Sequence, residues 1–393
     1  MTPYADFTYF LLLLYPLLVL VVLGVLGRLG RPVVLLVSVA VVAFQYDLRP
    51  LLFLASAAAA NTAIVLGYSL ALRRQAGQPA FYAAVGLALL PLVAVKLHGT
   101  LDLPGVPAVP PGGLDTLGFL GLSYMSLRAV DAIIVLHDGV AKPAPRAADV
   151  VSYLLFVPTI SAGPIDRFHR FTENLDALPR SRRDYLLDVQ AGIHRIAQGF
   201  LYKFVVAYAI DRYALRALGN RGGLLAVVEY MYSFSLYLFF DFAGYSAFAI
   251  GVGRFFGIHV PENFNAPFVS RNFREMWDRW HISLSWWLRD HVYMRFMLNA
   301  TRRRWFGGNR QWAHAVALLL TMGLMGCWHG LQPRYVVYGL YQGVMLVAYD
   351  AATRWNKRHR LVGDGRFANV ASVFVTVNLF CFGLLIFSGR LFA

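Results

Sequence analysis

Between Met276 and Asp290 the chain reads MWDRWHISLSWWLRD, a run holding four tryptophans, two arginines, two aspartates and one histidine, His281. A second histidine, His329, lies in MGCWHG at the end of an apolar run that starts near Val316; Gly330 and Pro333 follow it, which marks a helix break. An imidazole in apolar surroundings must face a polar cavity or a partner, so a functional role is the first hypothesis for both. The chemistry open to such a pair is proton transfer, either to and from a reacting hydroxyl or along a transport path. Asp241, in LYLFFDFAGYS, raises the same question. It could orient a histidine, pair with an arginine or cap a broken helix, and a supporting role is expected. Trp328 stands next to His329, and Asp278 and Ser285 flank His281; these three are further candidate supporting groups. The remaining histidines (His98, His137, His169, His194, His259, His291, His314 and His359) sit mostly in loops or near charges and read as hydrogen-bonded bystanders.

The elements that must hold these residues are membrane helices. The chain has 393 residues, 58% of them hydrophobic, and a mean hydropathy of +0.54, more apolar surface than a soluble core hides. Apolar runs long enough to cross ~30 Å of hydrocarbon recur from Phe7 to Leu26, Pro50 to Leu72 and Leu114 to Leu136, and we read about nine to eleven spans, some broken or re-entrant. The first run has no basic leader or small-residue cleavage site and is expected to be retained. Lys and Arg number 36 against 21 Asp and Glu, for a net charge of +15. The basic residues lie in short loops, which speaks for positive-inside topology and against nucleic acid. Arg28 and Arg31, Arg73 and Arg74, and Lys142 and Arg146 follow alternate spans, whereas Leu97 to Asp115 is rich in Pro and Gly and nearly uncharged; this predicts an N-terminus outside the cytoplasm.

The run around His281 is expected to be a helix entered from the extended segment Asn263 to Val269, with Trp277, His281, Leu284 and Leu288 along one face and Asp278, Ser285 and Arg289 along another. Its tryptophans suit an interfacial or re-entrant position, and an aromatic belt at headgroup level would account for them. Gly253 and Gly257 are expected to permit close helix packing. The two cysteines, Cys327 and Cys381, lie in apolar context and predict buried thiols, not a disulfide framework; no metal site is expected. No nucleophile elbow, zinc-protease helix motif or phosphate loop occurs. One integral membrane domain over 1–393 is expected: residues 1–137 as a lipid-facing helical scaffold, 138–353 as the catalytic core region, and 354–393 as a basic loop and a last span.

Four segments then carry a resemblance: FVPTISAGPIDRFHRF from Phe156, FFDFAGYSAFAIGVGRFFG from Phe239, PENFNAPFVSRNFREMWDRWHISLSWWLRDHVYMR from Pro261, and CWHG from Cys327. In this order they resemble the membrane-bound O-acyltransferase family, and most nearly its D-alanyl-transferring branch. The resemblance implies an all-α polytopic fold, a ring of transmembrane helices around a thinned core with a through-membrane tunnel. It maps the family's catalytic histidine, in its Trp-His-Gly context, onto His329 and the second marker histidine onto His281. It further implies a bacterial cytoplasmic-membrane enzyme with no tightly bound cofactor. The donor would be D-alanine held as a phosphopantetheine thioester on a small acidic carrier protein, and the acceptor a hydroxyl of an envelope polymer or lipid. An acidic carrier suits a cationic rim, so Tyr293 to Phe306 is nominated as docking surface, with Met297 and Leu298 as apolar anchors beside Arg302 and Arg303. His291 stands where an aromatic residue is expected. The rival readings are an O-acetyltransferase of exported polysaccharide, as in the alginate-modifying relatives, and a transporter or flippase with Asp241, His281 and His329 on its path.

Overall fold

The computed structural model describes residues 3–98, 118–141, 144–219, 221–359 and 365–392. The Pro/Gly-rich loop read over Leu97 to Asp115 falls almost wholly outside the described residues, as do Lys142 and the side chain of His98. The chain is all-α; among the described residues the only extended pairing is an isolated antiparallel bridge between Phe264 and Trp280. Five described helices are long and apolar enough to cross a membrane: α1 (Phe7–Val25), α3 (Leu48–Arg73), α4 (Gln78–His98, apolar through Leu97), α9 (Leu224–Phe255) and α15 (Arg366–Ser388). α2 (Arg31–Gln45) is apolar but shorter, so the described spans are fewer than the runs read from the sequence.

Contacts group the chain into two compact units, residues 1–200 with 244–261, and residues 201–243 with 262–393, and α9 contributes to both. In the first unit α5 (Gly118–His137) departs from the lipid-facing character read for 1–137. Its residues 121–136 are all buried, and they include Arg128 and Asp131. The Arg128 guanidinium donates to the carbonyls of Tyr153 (2.9 Å), Leu154 (3.2 Å) and Thr159 (2.6 Å), where α6 (Ala147–Leu154) ends. Asp131 accepts from the Tyr153 hydroxyl (3.1 Å), the Arg167 guanidinium (2.9 Å) and the Phe168 amide (2.7 Å), at the start of α7 (Phe168–Asp176). A buried charge survives only with such partners, and here they are the last turn of α6 together with Thr159, Arg167 and Phe168 of the FVPTISAGPIDRF loop. α8 (Arg182–Phe200) packs on α9 where Gly192 meets Gly251; a Cβ on Gly192 would stand 2.9 Å from the Gly251 carbonyl oxygen. The close helix contact is therefore made by this pair, whereas Gly253 and Gly257 serve the tight turn after α9, Gly257 at a left-handed φ of +69°.

The second unit holds the segments that carry the histidines: α10 (Phe273–Arg279), α11 (Ile282–Leu288), α12 (Met294–Arg302), α13 (Arg310–His329), α14 (Pro333–His359) and α15. α13 and α14 form a close antiparallel hairpin. A Cβ on Gly326 would come within 2.4 Å of the Tyr335 carbonyl oxygen and 3.0 Å of the Gly339 Cα, so only glycine lets the two backbones approach there. Of the two thiols, Cys381 is buried and Cys327 half-buried.

Candidate active site

The helix expected around His281 is two helices. α10 begins on Asn272, whose side chain accepts from the Glu275 amide (2.9 Å) while Glu275 accepts from the Arg271 amide (2.9 Å). It ends at Trp280, and His281 then adopts a left-handed conformation (φ 46°, ψ 49°) before α11 starts. A non-glycine residue held there is strained, and the surrounding hydrogen bonds hold it. The extended segment after α9 supplies them: Asn265 N–H donates to the Arg279 carbonyl (3.0 Å), Ile282 N–H to the Asn263 carbonyl (3.0 Å), and Ser283 Oγ–H to the Asn263 side chain (2.6 Å). Ser285 bonds back to the His281 carbonyl through its amide (3.0 Å) and hydroxyl (3.1 Å). The break turns His281 inward, away from the single face that a continuous helix would have given it.

His329 is the last residue of α13, with Gly330 as its C-cap, as the sequence predicts. The two histidines line one cavity of about 60 Å³, together with Leu238, Phe242, Trp277, Trp280, Leu284, Met325, Tyr338, Leu384 and Phe387. Around His281 the Phe242 ring lies edge-on at 4.7 Å and Trp328 at 6.3 Å; around His329 stand Trp328 at 4.9 Å, Phe387 at 5.1 Å and Tyr338 at 6.3 Å. His281 is 4% exposed, and its Nε2 makes no hydrogen bond among the described residues. It lies between two short helices, outside those long enough to span a membrane. Burial first, and the nearby His329 ring second, hold its pKa well below the ordinary histidine value. An uncharged imidazole with an open nitrogen in an aromatic cavity can form a hydrogen bond with a reacting group.

Of the candidate supporting residues only Trp328 stands beside the histidines. Asp241 lies in unbroken α9, and its carboxylate pairs with the Lys203 ammonium; it does not line the cavity. Of the roles open to it, orienting a histidine, pairing with an arginine or capping a broken helix, the observed partner fits none; it is a lysine, close enough to neutralise a charge in an apolar helix. Asp278 and Ser285 line a second cavity of about 420 Å³, with Arg274, Trp277, Trp286, Tyr293, His314 and Asp350 among its other walls. Trp277 belongs to both cavities. The tryptophans do not form a headgroup belt: Trp277, Trp280 and Trp287 are buried and only Trp286 is exposed. In α12 and just beyond it, Leu298, Arg302 and Arg303 are exposed and Met297 half-buried.

The sequence reading missed the walls of the small cavity, Phe242, Tyr338 and Phe387, which carry no signal beyond being aromatic. Among the histidines read as hydrogen-bonded bystanders, His314 bridges Tyr293 (2.7 Å) and Asp350 (2.5 Å) in the wall of the larger cavity, His137 is bonded to Tyr68 (2.6 Å) and His259 to Asp188 (2.9 Å).

The fold is all-helical with membrane-spanning elements, and it brings two histidines into one aromatic cavity. The profile of the membrane-bound O-acyltransferase (MBOAT) family matches residues 140–389, and the chain belongs to that family. It is 38% identical to the teichoic acid D-alanyltransferase of Bacillus subtilis (strain 168) over 100% of this chain and 99% of the relative. To the enzyme of that name from Streptococcus thermophilus it is 39% identical over 79% and 76%. A probable alginate O-acetylase, AlgI, of Pseudomonas fluorescens is 32% identical over 63% of this chain and 48% of its own length. The chain is thus a multi-pass membrane acyltransferase.

Proposed function

We propose that the chain transfers D-alanine from a carrier-protein thioester to a hydroxyl of an envelope polymer of the teichoic-acid type, at the cytoplasmic membrane of a bacterium. The observation that carries this reading is the pair His281 and His329 in one aromatic cavity that shares Trp277 with a larger one. In the proposed reaction the acceptor oxygen attacks the thioester carbon and His329 takes its proton. The C–O bond forms, the C–S bond breaks, and the thiolate leaves on the phosphopantetheine arm and recovers a proton. His281, neutral and without a hydrogen bond at Nε2 among the described residues, is suited to stabilise the developing oxyanion. The acyl group is activated before it arrives, so the chain needs no nucleophile of its own.

The larger cavity would receive the arm, and Trp277 would separate it from the chemistry. Tyr293, which lines that cavity, also opens the stretch proposed for carrier docking, where Leu298, Arg302 and Arg303 are exposed. In this reading the N-terminus lies outside the cytoplasm, as the positions of the basic loops suggest.

The test is transfer of labelled D-alanine from charged carrier to an envelope fraction, in membranes holding the wild type or His329→Ala. Label that moves only with the wild type supports the reading. The likeness to AlgI favours one second reading, polysaccharide O-acetylation, and incorporation of acetyl but not D-alanyl label would establish it in place of the first.

A further inference from the structure

The larger cavity has a charge arrangement that acyl transfer by itself does not require. Arg274 pairs with Asp350 (2.9 Å) and Arg289 with Asp290 (2.9 Å), which leaves Asp278 as a carboxylate in the wall with no hydrogen bond or ion pair among the described residues. Across the same cavity runs a hydrogen-bonded chain. Arg274 holds Asp350, Asp350 accepts from His314 Nε2 (2.5 Å), and His314 Nδ1 faces the Tyr293 hydroxyl (2.7 Å). Whichever atom of the His314 Nδ1–Tyr293 pair holds the proton, the Tyr293 oxygen keeps a lone pair for a further donor. A free carboxylate, an oxygen with a lone pair to offer, and the indole rings of Trp277 and Trp286 are the elements that recognise a small cation carrying N–H donors.

We propose that this cavity is a recognition site for the α-ammonium of an aminoacyl thioester, with Asp278 as its charge partner and Tyr293 as its hydrogen-bond acceptor. The inference rests on the D-alanyl reading and deepens it: the cavity selects aminoacyl over neutral acyl donors before the acyl carbon passes Trp277 to the histidines. A neutral acyl group gains nothing from the exposed Asp278 carboxylate, whereas an ammonium finds an ion pair, a hydrogen bond and aromatic faces. Arg274, Asp350 and His314 act through Tyr293 and are positioning residues.

The experiment compares one carrier protein loaded with D-alanyl or with D-lactyl thioester, which replaces the ammonium by a hydroxyl at nearly equal size. Full-length wild type, Asp278→Asn, Asp278→Glu and Tyr293→Phe are assayed in membranes. The wild type is expected to prefer D-alanyl by roughly ten- to a hundredfold in kcat/KM, the worth of one charge-assisted contact. Asp278→Asn should erase most of that preference by raising the KM for D-alanyl carrier, Asp278→Glu should keep it, and Tyr293→Phe should lower it in part. Equal losses on both donors, or an unchanged ratio, would overturn the inference and leave D-alanyl transfer standing. Absence of D-alanyl transfer by the wild type would overturn both.

Discussion

At the scale of the residue, the site separates what a side chain does from what its backbone must tolerate. His281 sits at positive φ, which asparagine accepts readily and a β-branched residue does not. His281→Asn should therefore fold, with a melting temperature in detergent close to the wild type, and lose about a hundredfold in turnover if the ring stabilises the oxyanion. His281→Val should lose stability as well, which a thermal shift will show. Removing the proposed base, in His329→Ala, should lower turnover by about 10²- to 10⁴-fold without raising the KM for carrier. The pH profile follows from the downward shift at His281. Burial holds that ring neutral as pH falls through the usual histidine range, so it should add no ionisation of its own to the acid limb, and log rate against pH should fall there with a slope no steeper than one. A slope of two would show His281 titrating as well.

Among the elements, two structural devices place the histidines, and both can be broken without touching an imidazole. The α13–α14 hairpin depends on the Gly326–Gly339 contact, where an added Cβ lies 2.4 Å from backbone. Gly326→Ala should cost about 1–3 kcal/mol by overpacking and displace His329, so stability and turnover should fall together. The break at His281 depends on the buried Asn263 side chain, which accepts from Ser283. Asn263→Ala leaves that donor unsatisfied, with an expected loss of about 1–3 kcal/mol, measured as a lower melting temperature in detergent. The end of α13 was legible in the sequence because glycine and proline punctuate it. The break between α10 and α11 was not. Nothing between Met276 and Leu288 is glycine or proline, and the apolar spacing suits one helix; the interruption is imposed from outside by Asn263 and Asn265, whose pairing no local pattern announces.

Over the whole molecule, charge is the property that reaches beyond single contacts. A net +15 with exposed Arg302 and Arg303 beside Leu298 should steer an acidic carrier, so kcat/KM for carrier should fall as ionic strength rises. Arg302→Glu with Arg303→Glu should lower it further at low salt while leaving turnover at saturation unaltered; an unchanged kcat/KM would place docking elsewhere. The sequence by itself determined that the chain is a helical membrane protein, because apolar runs of spanning length need no partner to be recognised. It also singled out His281 and His329, because each stands in a short motif whose residue types survive without geometry, and the fold brings the two into one cavity. Only the tertiary structure decided that α5 is buried around Arg128 and Asp131, that Asp241 serves Lys203, and that Phe242, Tyr338 and Phe387 enclose the imidazoles. The physical reason is the same in each case. A linear pattern reports local propensity and hydropathy, whereas the partner of a buried charge or ring is chosen by packing between segments tens of residues apart, where many aromatic and apolar residues are locally equivalent.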